Sequence, residues 1–156
     1  MTKVRPFQPA DAAACAQLYH ESVHGGTQAH YDAAQRAAWS PAIPEREVWL
    51  ARIAPQQAWV AEGPEGLRGF MTLTTSGLVD LAFVRPDLIG QGVGKALFAR
   101  LLDAARAAGL TVLETDASDA AKPFFESLGF TALRRNRMDL QGVTLENTTM
   151  RLRVGL

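Results

Sequence analysis

The sequence predicts an α/β (α+β) domain built around a mixed sheet, and three observations carry that expectation. Strand-like and helix-like segments alternate along the chain. Val79 to Phe98 passes from an apolar strand pattern through a glycine-rich turn into an amphipathic helix. The length, 156 residues, suits one domain over 1–156, which can bury roughly 70% of its unfolded surface without metals or disulfides.

The elements follow in order. Val4 to Phe7 is a short strand, and Gln8-Pro9-Ala10-Asp11 a turn with Asp11 as helix cap. An alanine-rich helix spans 11 to 22 and is broken by Gly25-Gly26. A second helix covers Asp32 to Ala38, and the prolines of Pro41-Ala42-Ile43-Pro44 enforce an irregular passage before a short helix from Glu45 to Ile53. Three meandering strands then run from Ala58 to Ala61, Leu67 to Thr74 and Leu78 to Val84. The long helix from Gly92 to Ala108 places Val93, Leu97, Leu101, Ala104 and Ala108 on one stripe and ends at Gly109. Thr111 to Ser118 reads as a strand. The short helix after it begins late, because Pro123 is tolerated only in a first turn. Two last strands, Thr131 to Leu140 and Thr144 to Val154, flank Gln141-Gly142.

The turn Ile89-Gly90-Gln91-Gly92-Val93-Gly94-Lys95 is the segment with chemistry in it. Glycines let a backbone approach a ligand without interference from Cβ, and a helix starting there aims unpaired N–H groups and a positive dipole end at an anion. The spacing G-x-G-x-G is not the G-x-G-x-x-G of dinucleotide folds. Nor is it a P-loop, since Gly90 to Gly94 is one residue short and Ala96 stands where a metal-binding hydroxyl is required. A pyrophosphate cradle and a purely structural turn are both open at this point.

A second pattern decides between them. Ala121, Phe124, Phe125, Glu126, Gly129 and Phe130 fall on A-x-x-F-Y-E-x-x-G-F. With the glycine turn before it, this resembles the GNAT superfamily of acetyl-CoA-dependent N-acetyltransferases over about Val4 to Arg153. His30-Tyr31, Gln35, Ala38-Trp39, Asp116-Ala117-Ser118 and Asn147 to Met150 are similar to a small bacterial single-domain subgroup. The resemblance implies a mostly antiparallel central sheet of about six to seven strands flanked by about four helices. It implies acetyl-CoA as cosubstrate, bound by Phe83, Val84, Ile89, Gly90, Gln91, Gly92, Val93, Gly94, Lys95, Ser118 and Phe125. The expected reaction is direct acetyl transfer in a ternary complex to a primary amine of a small molecule or peptide. The alternatives are a non-catalytic acyl-CoA-binding module and a toxin acetylating aminoacyl-tRNA.

Two departures from the family pattern bear on catalysis. Ile89 stands where relatives carry Arg or Gln, and Phe125 replaces the tyrosine proposed to protonate the departing thiolate. Asp80 is the expected base for the incoming amine, on the reading that strand alternation puts it on the face of Ala82 and Val84. The alternative is that it caps a neighbouring loop or pairs with an arginine. Tyr31 or His24, from the segment that gathers all three histidines and both tyrosines, is the expected replacement acid, against a reading as ordinary surface residues.

Composition excludes other classes. Sixteen Lys plus Arg balance sixteen Asp plus Glu, so the electrostatic footprint of nucleic acid binding is missing and the toxin reading recedes. Cys15 is the lone cysteine and sits among alanines as a core filler. His20 and His24 are four apart with no third ligand marked, so no metal is expected. No run nears the ~18 apolar residues of a membrane span, and a cytoplasmic protein is expected. Oligomeric state, a homodimer included, is open.

Overall fold

The computed structural model describes residues 1–155. Seven strands, β1 (Lys3–Pro6), β2 (Gln57–Gly63), β3 (Gly66–Leu73), β4 (Leu78–Val84), β5 (Val112–Ser118), β6 (Thr131–Leu140) and β7 (Val143–Arg153), form one sheet in the order β1-β2-β3-β4-β5-β7-β6. Five helices flank it: α1 (Ala12–Gly26), α2 (Ala33–Trp39), α3 (Arg46–Ile53), α4 (Val93–Ala107) and α5 (Lys122–Ser127). Every neighbouring pair is antiparallel except β4 and β5, which α4 connects as a crossover. The expected mixed, mostly antiparallel sheet is therefore present.

Each face of the sheet has its own apolar cluster. Leu97, Phe98, Leu101 and Ala105 of α4 pack with Met71, Val79, Leu113, Phe125 and Met150 on one face. The buried stripe of α4 includes Phe98 and Ala105, while the Ala108 expected on it is exposed. On the other face Cys15, Leu18, Tyr19 and Val23 of α1 and Trp49 and Ile53 of α3 cover Val60, Phe70 and Leu81. Burial pushes the Cys15 thiol up to about 12, the behaviour of an inert filler.

Two local expectations change. The helix α1 is not broken by Gly25-Gly26 but runs through both. Gly25 serves close approach: a Cβ there would lie 3.3 Å from Pro86 Cγ, in the 3₁₀ turn Pro86–Leu88 that follows β4. Asp11 does not cap α1. Its carboxylate accepts from the Gln8 N–H at 2.8 Å and takes a two-pronged contact from Arg5 at 2.9 Å on each oxygen, while Arg5 also reaches Glu62 on β2.

The sheet's irregularity at its centre is sealed by two buried threonines. Thr115 Oγ1 donates to the Val79 carbonyl at 3.0 Å, and the Leu81 N–H donates to Thr72 Oγ1 at 3.0 Å. Both threonines are buried, so these side-chain bonds are made away from water. Thr115→Val keeps the shape but removes the hydroxyl bond to the Val79 carbonyl, and is expected to lower unfolding stability by about 1 kcal/mol in urea titration with an unchanged m-value.

Candidate functional site

The parallel strands β4 and β5 pair only at Leu78↔Glu114 and Val79↔Thr115. Beyond these, β4 stays with β3 as far as Val84↔Gly69, β5 stays with β7 as far as Ser118↔Asn147, and a fork opens between them. Inside a sheet such a parting leaves main-chain groups with no ladder partner. Arg85 donates its N–H to Arg68 in β3 at 2.9 Å, so by strand alternation the Val84 N–H faces the opposite way, into the fork. The Val84 carbonyl accepts from Ser22 Oγ of α1 at 3.1 Å, which fixes the strand end.

A bulge in β4 alters which side chains reach the fork. Met71 pairs with Ala82 and Leu73 with Val79, so two steps along β3 are matched by three along β4. Val79, Ala82 and Val84 consequently share the α4 face, and Leu81 and Phe83 lie on the α1 face. Asp80 is therefore not on the face of Ala82 and Val84. It points to α3, where Arg52 bonds its two oxygens at 3.2 and 3.3 Å and Gln56 adds a third bond at 2.8 Å. The carboxylate of Asp80 is thus paired with an arginine.

The glycine turn presents donors. Gly90 and Gly92 have φ of 84° and 86°, the left-handed region that other residues enter at a cost. The first hydrogen bond within the helical turn runs from Ala96 N–H to the Gly92 carbonyl at 3.0 Å. The N–H groups of Gly92, Val93, Gly94 and Lys95 have no protein partner among the described residues, and they sit at the positive end of the 15-residue α4. Gly94 is a glycine for a different reason. A Cβ there would come within 2.9 Å of the Phe124 ring, so α5 closes tightly on the start of α4. Gln91 departs from expectation: its N–H is taken by the Leu88 carbonyl at 3.2 Å, its side chain bonds the Asp87 carbonyl, and it does not line the cleft.

These features border one cleft of about 670 Å³. It passes through the fork, from Val93, Phe124 and Phe125 on the α4 side to Ser22, Thr27 and Trp39 on the α1 and α2 side. Phe83, Val84, Ile89, Gly90, Gly92, Gly94, Lys95 and Ser118 also line it. Lys95 is the one ionisable residue on this lining. Thr27 belongs to the histidine- and tyrosine-rich segment and Trp39 to the Ala38-Trp39 pair, while nothing local marks Ser22, which α1 carries to the cleft as it closes on Pro86 at Gly25.

The expected replacement acids are engaged elsewhere. The Tyr31 hydroxyl donates to the Glu146 carbonyl at 2.9 Å and accepts from the Asp119 N–H at 2.8 Å. Burial pushes its pKa up, and it does not line the cleft. It is a tie between the α1–α2 connection, β7 and the β5–α5 loop. His24 Nε2 bonds the Ser40 carbonyl at 2.7 Å and His20 Nδ1 the Ser40 hydroxyl at 2.7 Å, with the two rings 4.4 Å apart. Burial and the neighbouring His24 hold His20 below its ordinary pKa. The loop beyond Ser118 is further braced by Arg135 on both oxygens of Asp119, which lowers the pKa of that carboxyl.

Comparison with known proteins matches this arrangement. The family model described as "Acetyltransferase (GNAT) domain" covers residues 27–153. The uncharacterized N-acetyltransferase YafP of Escherichia coli K12 is 30% identical over 149 residues, 96% of this chain and 94% of that protein. A crystal structure of a GCN5-related N-acetyltransferase from Rhodopseudomonas palustris, also described as an aminotransferase of class II, superposes with a TM-score of 0.91 at 33% identity, covering 98% of this chain and 96% of the other. A phosphinothricin acetyltransferase from Sinorhizobium meliloti, solved in complex with AcCoA, shares the fold with a TM-score of 0.76 at 21% identity over 99% and 89% of the two chains.

The geometry at Tyr31 makes a checkable statement. Tyr31→Phe removes a donor and an acceptor whose partners are main-chain groups, and is expected to cost about 1–3 kcal/mol of stability in urea. Its turnover per folded molecule should stay within about threefold of wild type, whereas loss of a general acid would lower it by about 10²-fold or more.

Proposed function

The chain belongs to the GNAT acetyltransferase family, and on that premise we propose that it transfers the acetyl group of acetyl-CoA to a primary amine of a small molecule or peptide, by direct attack in a ternary complex. The observation that carries this reading is the fork itself, which sets an unpaired strand edge beside an unpaired run of helix-terminal N–H groups. These two features suit the two ends of one ligand, an extended amide-bearing arm and a pyrophosphate.

In this reading the N–H groups from Gly92 to Lys95 hold the pyrophosphate, and the Lys95 ammonium adds charge. Ile89, although exposed at the cleft rim, adds none. The β4 main chain near Phe83 and Val84 accepts the arm as an added strand would be accepted. The Val84 N–H polarises the thioester carbonyl and stabilises the oxyanion, a contact worth about 3–4 kcal/mol in comparable sites. Phe125, only 2% exposed and edge-on to Phe130 with ring centroids 5.2 Å apart, supplies a dry wall and no proton. Water protonates the departing thiolate, which is a tolerable leaving group without an acid.

Calorimetry with acetyl-CoA, followed by free-thiol release across amines of varied structure, tests the proposal. Saturable binding and amine-dependent thiol release are expected, and an absence of acetyl-CoA binding would end the reading. Gly92→Val should raise the acetyl-CoA Kd at least about tenfold. The left-handed φ and the open space above Gly92 predict strain of about 1–2 kcal/mol and a side chain standing where phosphate would lie. Wild-type affinity in a folded Gly92→Val variant would contradict the cradle.

A further inference from the structure

The acetyl-transfer reading leaves the acceptor open, and the acceptor half of the cleft narrows it. On the α1 and α2 side the walls are Ser22, Gly26, Thr27, Trp39 and Phe83. None of these carries a charge. Lys95 belongs to the glycine turn and would repel an ammonium. The carboxylates on elements around the fork, Glu126 of α5 among them, are off the lining, and several are engaged. Asp80 is held by Arg52 and Gln56, Glu114 by Arg151 at 2.6 Å, and Asp119 by Arg135. Asp116 accepts from Thr149 Oγ1 at 2.6 Å, and Glu21 on α1 is likewise off the lining. His24 is bonded to the Ser40 carbonyl.

This chemistry discriminates sharply among amines. An alkylamine with a pKa near that of lysine, about 10.4, is uncharged in only about one molecule in two or three thousand at pH 7. An enzyme that accepts it must bind the cation or remove its proton, and a positioned base contributes about 10²–10⁴-fold to that step. This cleft offers neither counter-charge nor base, and an unpaired ammonium inside it would be strongly disfavoured. An amine on an aromatic ring shares its lone pair with the ring and is uncharged at neutral pH. It meets no such penalty.

The walls also suit a flat ring. Trp39 is braced from behind by Tyr31, centroids 5.5 Å apart at 73°, and Phe83 by Tyr19, 5.0 Å apart at 86°. Edge-on support of this kind fixes both rings in place while they remain part of the cleft wall. We propose that the acceptor is a small, weakly basic aromatic amine packed against Trp39 and Phe83, an inference that rests on the acetyl-transfer reading. Its nitrogen lone pair forms the N–C bond at the thioester carbonyl as the C–S bond breaks. The nitrogen gives one proton to water and the thiolate takes one from water, so the products are an anilide and the free thiol.

Thiol release at pH 7 with saturating acetyl-CoA should be compared for aniline, cyclohexylamine and benzylamine, with uncatalysed rates subtracted. Cyclohexylamine matches the ring size and benzylamine keeps the aromatic ring, but both are strongly basic. Aniline is expected to have a kcat/KM at least about tenfold above each. Equal or faster turnover of either basic amine would overturn the proposal while leaving acetyl transfer intact. Acetyl-CoA binding without turnover of any amine would overturn both. Trp39→Ala should raise the aniline KM about tenfold with a smaller change in kcat, with Trp39→Leu as the substitute if the alanine variant does not fold. An unchanged KM in the folded variant would count against the aromatic wall and hence the proposal.

Discussion

Everything at the site depends on the parting of two strands inside a continuous sheet. A sheet is stable because its main-chain groups pair, so opening it at β4 and β5 requires local substitutes for the pairs withdrawn. Thr115 adds a bond to the Val79 carbonyl at the apex, Thr72 accepts from the Leu81 N–H at the bulge, and Ser22 donates to the Val84 carbonyl at the open end. The Val84 N–H is left facing the fork, on the lining of the cleft.

The walls of that opening are made by close approach more than by large side chains. Gly25 lets α1 close on the turn after β4, and Gly94 lets α5 close on α4 against the Phe124 ring. Tyr31 and the Arg135–Asp119 pair then hold the loop at the far wall. Membership of the acetyltransferase family thus rests in this chain on backbone geometry that several distant contacts maintain. Side-chain chemistry in the cleft is correspondingly sparse, with Lys95 at one end and aromatic or small residues over most of the remainder.

The contrast between the two ends of the cleft follows from physics rather than from motif. At the α4 end, four N–H groups and a cation favour an anion. At the α1 and α2 end, apolar walls and paired carboxylates favour an uncharged group. No described helix is long and apolar enough to cross a membrane.

What the sequence determined by itself was local. Hydrophobic periodicity yielded the strands and helices, and the glycine turn with its following helix revealed a helix start with unpaired N–H groups, because N–H orientation there is set within a few residues. Ala121 to Phe130 located the second wall in the same way. Only the tertiary structure decided the roles of Asp80, Tyr31 and the paired glycines of α1. Asp80 changed face because a bulge, set by pairing with β3, shifted the alternation on which its placement depended. Tyr31 became a tie because its partners lie 88 and 115 residues away in the chain. Gly25 and Gly26 together signal a helix break to local reasoning, yet α1 runs through both and Gly25 answers to Pro86. Contacts between residues so far apart leave no local pattern, and it is these contacts that turn a recognisable family turn into a cleft of particular chemistry.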